Sequence, residues 1–184
     1  VSPKDYFATN NVIGIFSIVN PNRFYPSKIK DIDILCIGQV GSYRSSRIKY
    51  FDEIKKLESN YKVVISPLDR EEFMPWEDYI SLCSRSKIIV NFSESVDFHQ
   101  LKGRVFEAMT CGAVIMDNVE SPIFLYFEEG KHFMSYKDEI DLPLQIKLLL
   151  SDHEKCRNIS ANAEAFLRNN FSCESWWSIL LRNS

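Results

Sequence analysis

The chain has no basic surplus, no metal-spaced cysteines and no apolar run of membrane length, and each absence removes a class of function. Lysine and arginine number 22 against 25 acidic residues, a net charge of -3. A general nucleic-acid binder needs a basic excess to displace counterions, so any phosphate this chain binds must be met by a local cluster. The cysteines Cys36, Cys83, Cys111, Cys156 and Cys173 are scattered without a CxxC pair or zinc-type Cys/His spacing, and read as reduced core or helix residues. Runs such as residues 87–92 are too short for a bilayer and no signal-peptide pattern opens the chain, so a cytoplasmic protein without a transmembrane segment is expected. GxSxG, HExxH and a Walker loop are also missing, which speaks against the hydrolase, zinc-protease and P-loop chemistries. No GxGxxG follows the first apolar run, which speaks against a dinucleotide domain.

What is present fits one globular domain with a proper core: 184 residues, 45% of them hydrophobic. Residues 1–30 form a leader or interdomain segment with one apolar patch at 12–19, and Val1 in place of Met allows a segment cut from a longer polypeptide. From residue 31 onward, short apolar runs alternate with amphipathic stretches, the pattern of βα units around a parallel sheet. Strands are expected at 32–37, 61–65, 87–92, 113–116 and 132–136. Helices are expected at 44–58, 76–84 and 103–111, with a short one after Ser121-Pro122 and a helical tail at 139–150, 152–170 and 173–181. The fold expected is therefore α/β: a Rossmann-like, doubly wound parallel sheet of about five strands with a helical C-terminal tail. In such a sheet ligands bind beyond the carboxyl ends of the strands.

The most informative stretch is Lys102-Gly103-Arg104-Val105-Phe106-Glu107, at an expected helix start, running on through Cys111-Gly112 to Asp117-Asn118. A helix start offers free N–H groups and the positive dipole end to an anion, and Gly103 allows close backbone approach. Lys102 and Arg104 add charge, and Arg104 has the forked geometry that suits phosphate oxygens. Glu107, one turn further in, offers a carboxylate placed to accept hydrogen bonds. The plainer alternative is a solvated helix on which the three charges interact with one another. Upstream, Gly38 and Gly41 would let a backbone approach a ligand, with Arg44 and Arg47 at the next helix start, where an arginine either meets a phosphate or reaches into solvent.

The run 102–118, with residues 33–38 and 79–91 before it and 127–131 and 148–152 after it, resembles the C-terminal half of group 1 GT-B glycosyltransferases, most closely the subset related to CgeB-type spore-maturation proteins. The resemblance covers residues 31–181 and implies one half of a GT-B fold: a nucleotide-sugar-binding domain over 31–184. Joined to an N-terminal domain, it would transfer a sugar from a nucleotide-sugar to an acceptor hydroxyl on a glycan, lipid or protein. It implies Gly38, Arg44, Lys102, Gly103, Arg104 and Glu107 as donor-binding residues. No metal or cofactor is expected, since no DxD-like carboxylate cluster is present and fixed cations can replace a metal at a leaving diphosphate. Glu107 matches the second of a spaced pair of glutamates common in that family. His99 holds the position of the first and, with Glu94 in the same loop, is the candidate catalytic substitute. Loss of that first glutamate favours the alternative, a non-catalytic nucleotide or nucleotide-sugar binding module.

Overall fold

A computed structural model describes residues 18–40, 42–68, 74–94 and 98–182. Five strands form one parallel sheet: β1 (Ile32–Gln39), β2 (Val63–Leu68), β3 (Ser86–Val90), β4 (Val114–Asn118) and β5 (Met134–Tyr136), in the order β2-β1-β3-β4-β5. Register is set by apolar cross-strand partners such as Ile34 with Val63, Leu35 with Ile89, Ile89 with Ile115 and Met116 with Met134. The helices are α1 (Ile48–Lys55), α2 (Trp76–Arg85), α3 (Gly103–Thr110), α4 (Asp141–Ser151), α5 (His153–Asn170) and α6 (Cys173–Arg182).

Successive side chains on a strand point to opposite faces, so each strand feeds two cores. Leu35, Ile37, Ile89 and Ile115 pack with α2, α3 and α5 through residues such as Tyr79, Val105, Met109 and Leu167. Ile34, Cys36, Val90 and Met116 pack on the other side with α1 and α4 through Phe51, Ile54 and Ile146. Both faces are thereby covered, which is why the central strands read as continuous apolar runs rather than as alternating ones. Cys36, Cys83 and Cys111 lie in this interior as free thiols, Cys156 is half-buried, and Cys173 is exposed.

The element boundaries depart from expectation where side chains make local demands. Residues 44–58 were expected as one helix; the observed segment is a 3-10 turn at Ser42–Arg47, then α1, then a second 3-10 turn at Lys56–Ser59. Arg44 is non-helical (φ -133°, ψ 22°), Arg47 is drawn inward under the sheet end, and α1 has no side-chain cap because an arginine at the N-cap has no acceptor to offer. β4 runs two residues past Met116, since Asp117 and Asn118 pair with Ser135 and Tyr136. Gly112 ends α3 in the left-handed region (φ 64°), and a Cβ there would also approach the Pro26 ring to 3.1 Å.

Most of the apolar patch at 12–19 falls outside the described residues. In the described part of the N-terminal segment, Phe24 is buried edge-on against Trp76 and Tyr79, with ring centroids at 5.6 and 6.4 Å, so this segment packs on the main body. At the other end Phe171 stacks on Phe127 at 5.6 Å, and Trp177 is 57% exposed; the side chain of Trp176 lies outside the described residues. Among the described residues no helix is long and apolar enough to cross a membrane.

Candidate functional site

The chain leaves β1 toward β2 and returns to place β3 on β1's other side, so the loops after β1 and β3 diverge and open a crevice between them. A cleft of about 480 Å³ lies there. Gly38, Arg44, Lys102, Gly103, Arg104 and Glu107, the six binding residues expected from the sequence, all line it.

Each is placed by an identifiable cause. Lys102 caps α3 in an extended conformation (φ -88°, ψ 148°) with no side-chain cap bond, leaving the helix start open toward the cleft. Its Nζ donates to Gln100 at 2.8 Å, and its pKa is lowered by partial burial and then by the nearby Arg44 and Arg47. Arg104 donates to the Ile37 carbonyl at the end of β1, and its guanidinium lies over the Tyr79 ring, 5.9 Å from the centroid. Glu107 accepts the Tyr79 hydroxyl at 2.5 Å. Arg44 donates to Gln39 Oε1 at 3.1 Å. A Cβ on Gly38 would meet Phe92, Arg47 and Phe51 at 3.5 to 3.6 Å, ordinary contact, so the backbone there does not demand glycine.

Arg47 does not reach into solvent. It is 3% exposed and donates to three carbonyls, Gln39 at 3.3 Å, Phe92 at 3.5 Å and Glu94 at 3.0 Å, tying the end of β1 to the loop after β3. Its guanidinium sits 5.1 Å from the Phe92 ring centroid, and burial lowers its pKa to about 10.

His99 and Glu94 lie outside the cleft lining. Glu94 pairs with His99 in an antiparallel bridge, and Gln100 N–H closes the loop on the Ser93 carbonyl at 2.8 Å. This folds the His99 ring between Ser93 Oγ, 2.8 Å from Nδ1, and Glu120, 3.1 Å from Nε2. Both ring nitrogens are thereby engaged. Glu94 accepts from Ser46 at 3.2 Å. Gly41 lies outside the described residues.

Sequence reasoning passed over Tyr79 and Asn91 as site residues and left Arg47 open between a phosphate and solvent; all three line the cleft. Asn91 is 1% exposed and gives its Nδ2 to Asp117 at 2.9 Å. Asp117 is fully buried, which raises its pKa, and also accepts from Ser121 Oγ at 2.8 Å and Asn118 N–H at 2.9 Å. The signal for Asn91 was a polar residue closing an apolar run, but its partner 26 positions away is visible only in the fold.

The cleft has a marked electrostatic character. Arg44, Arg47, Lys102 and Arg104 line it against a single carboxylate, Glu107, on a chain of net charge -3. Arg47 Nε, Arg104 Nε and Asn91 Oδ1 are buried without a hydrogen-bond partner among the described residues. Buried polar atoms are normally satisfied, so three orphans around one cavity mark a place where a partner belongs. A second cavity of about 450 Å³, between Phe24, Phe106, Leu167 and Phe171, has a largely apolar lining and contains none of these atoms. No group of three His, Cys, Asp or Glu among the described residues is arranged to hold a metal ion.

Comparison with known proteins agrees with this fold. The model of a family described as glycosyl transferase-like matches residues 27–182. No curated protein matches the sequence. The C-terminal domain of the group 1 glycosyl transferase LpcC from Francisella tularensis superposes with a TM-score of 0.64 at 10% identity, over 84% of this chain and 99% of that domain. HepE from Anabaena, solved with UDP and glucose, gives 0.65 at 15% identity, over 91% of this chain and 54% of its own. TarM from S. aureus, solved with fondaparinux, α-GlcNAc-glycerol and UDP, gives 0.69 at 15% identity, over 98% of this chain and 41% of its own. The chain thus spans about half the length of these larger neighbours and nearly all of the isolated C-terminal domain. At such identities the likeness establishes the fold, a Rossmann-like half of the GT-B architecture.

Proposed function

We propose, from the premise that the chain belongs to the glycosyl transferase-like family, that its cleft binds the nucleotide-sugar donor of a GT-B glycosyltransferase. The observation that carries this reading is the concentration of Arg44, Arg47, Lys102 and Arg104 around the open start of α3, with buried donor atoms of Arg47 and Arg104 unpartnered among the described residues. A diphosphate supplies the acceptors these donors lack. It would rest on the N–H groups at Gly103 and Arg104, with Lys102 and Arg44 flanking it. Glu107, oriented by Tyr79, would accept the ribose hydroxyls.

Sugar transfer places negative charge on the departing diphosphate, and cations fixed before the reaction stabilise that charge without reorganising. Lys102, Arg44 and Arg104 fill this role in the reading, with no metal required. His99 would have to leave Glu120 to reach the diphosphate; in its present contacts it shapes the loop bordering the α3 start. The acceptor hydroxyl, on a glycan, lipid or protein, would approach from a second lobe, in keeping with the greater length of HepE and TarM.

Thermal-shift titration with UDP, GDP, ADP, CMP, their sugar conjugates and pyrophosphate tests the reading. A nucleotide at about 100 times its Kd raises stability by roughly 2.7 kcal/mol. Stabilisation by pyrophosphate alone, or by no nucleotide, would overturn it. The placement of His99 outside the cleft lends weight to a second reading, a module that binds the donor without transferring it. Transfer by the protein joined to its partner lobe would rule that out.

A further inference from the structure

We propose that Asn91 is a specificity residue whose side-chain carbonyl reads a hydroxyl of the sugar carried by the donor; the inference rests on the donor-binding reading of the cleft. Asn91 follows β3 directly, at the switch point of the sheet, and sits two residues beyond Ile89, which packs in the α3 layer. It therefore projects to the side on which α3 begins.

Three of its four polar groups are taken. The backbone N–H donates to the Met116 carbonyl at 2.8 Å, the backbone carbonyl accepts the Tyr136 hydroxyl at 2.8 Å, and Nδ2 donates to Asp117 Oδ2 at 2.9 Å. Asp117 fixes which way the amide points. A carboxylate already accepting from Ser121 and Asn118 takes an N–H from Asn91 and repels its oxygen. The fourth group, Oδ1, is therefore held on the other side, buried, with no partner among the described residues, in a residue that lines the cleft.

The chemistry of that atom narrows the ligand. Phosphate oxygens satisfy the orphan donors of Arg47 and Arg104 but can give nothing to an acceptor. Oδ1 needs a hydroxyl or an N–H, so the ligand that completes the cleft carries a hydrogen-bond donor beside its anionic group. Glu107 accounts for the ribose hydroxyls; the donors that remain are the N–H groups of the base and the hydroxyls of the transferred sugar, and Asn91 is assigned to the sugar hydroxyls. Asp117 is then a positioning residue that acts through the Asn91 amide.

The test measures affinity by calorimetry for UDP, GDP and ADP, each alone and as its glucose conjugate, with the wild-type chain, Asn91→Ala and Asn91→Ser. The serine hydroxyl can still give Asp117 a donor, which keeps the buried carboxylate partnered if alanine destabilises the fold. For the base that the wild-type chain prefers, each variant is expected to bind the sugar conjugate roughly three- to tenfold more weakly, in line with loss of one hydrogen bond, while holding the bare diphosphate as well as wild type does. Equal loss for diphosphate and conjugate would overturn the sugar assignment and move Asn91 to the nucleoside, ribose or base. Unchanged affinity for both would show that Oδ1 has no ligand role. A wild-type chain that binds none of the six probes would sink the donor reading itself, a result separate from either variant outcome.

Discussion

Tyr79 on α2 donates its hydroxyl to Glu107 on α3 across 2.5 Å, linking two helices at the rim of the cleft. Burial raises the Tyr79 pKa well above the usual phenol range, so it stays protonated and remains a donor at any physiological pH. The carboxylate is thereby held in one rotamer before any ligand arrives. Tyr79→Phe should weaken nucleotide binding by about 1 kcal/mol by releasing that rotamer, and Glu107→Ala by about 1 to 3 kcal/mol by removing the acceptor itself. Calorimetry on both variants checks the order. A phenylalanine variant that binds worse than the alanine variant would mean that Tyr79, not Glu107, contacts the ribose.

Lys102 and Arg104 differ in what else they hold. The Lys102 side chain bonds only to Gln100 among the described polar contacts, whereas Arg104 anchors the Ile37 carbonyl and lies over Tyr79. Lys102→Ala should therefore leave thermal stability within about 0.5 kcal/mol. It should weaken a nucleoside diphosphate far more than the matching nucleoside. Arg104→Ala should do the same to the ligands and also destabilise the chain by about 1 to 2 kcal/mol, since a backbone carbonyl loses its donor. Equal losses for nucleoside and diphosphate would remove the phosphate role.

The fold was legible because covered parallel strands leave apolar runs and their helices leave amphipathic ones, and the binding side of such a sheet follows from topology alone. Gly38, Arg44 and the residues of 102–107 came together for that reason. Tyr79 and Asn91 were not legible, and Arg47 stood open between a phosphate and solvent, because each looks like something ordinary in its own segment. Tyr79 sits on the apolar face of α2, Asn91 ends an apolar run, and Arg47 lies in a polar helix start. What makes them site residues is pairing across 28, 26 and 45 positions, which no local pattern encodes. His99 illustrates the reverse: its spacing from Glu107 pointed toward the cleft, while Ser93 and Glu120 hold it aside.

Lys30 offers a pH test of the opposite end of the sheet. Its Nζ donates to the Ser86 carbonyl at 3.0 Å and to the Cys111 carbonyl at 2.5 Å, and burial lowers its pKa from 10.5 to about 8. Between those values the unfolded chain binds the proton more readily than the folded one, so this group's contribution rises with pH across about 8 to 10.5. Below that window the charged amine carries its full burial penalty; above it the penalty is gone. The stability of wild type relative to Lys30→Met should climb from pH 8 upward, by at most about 1.4 kcal/mol per pH unit. Taking the difference cancels the buried thiols Cys36, Cys83 and Cys111, whose pKa values are pushed up to about 12 and which act in the contrary direction. A flat difference would show that Lys30 is solvated in solution.

Arg47 separates a structural cation from a ligand-binding one. Its guanidinium serves the Gln39, Phe92 and Glu94 carbonyls from one planar fork, a reach that neither methionine nor lysine reproduces. Removing it also relieves repulsion from Arg44 and Arg104, which the lowered pKa of Arg47 reflects after burial itself. The two effects oppose each other, and three carbonyls left without a charged donor outweigh a repulsion between partly solvated guanidinium groups. Arg47→Met and Arg47→Lys should both lose about 1 to 3 kcal/mol of stability. Hydrogen exchange should quicken at Gln100, whose N–H closes the loop on Ser93. Nucleotide affinity should then fall in both variants, through the loosened rim and through loss of the Nε donor to the diphosphate. If lysine restored stability, charge alone would suffice and the fork would be incidental. If methionine kept full stability while losing diphosphate affinity, the three carbonyl bonds would be incidental and the phosphate role of the buried Nε would stand alone.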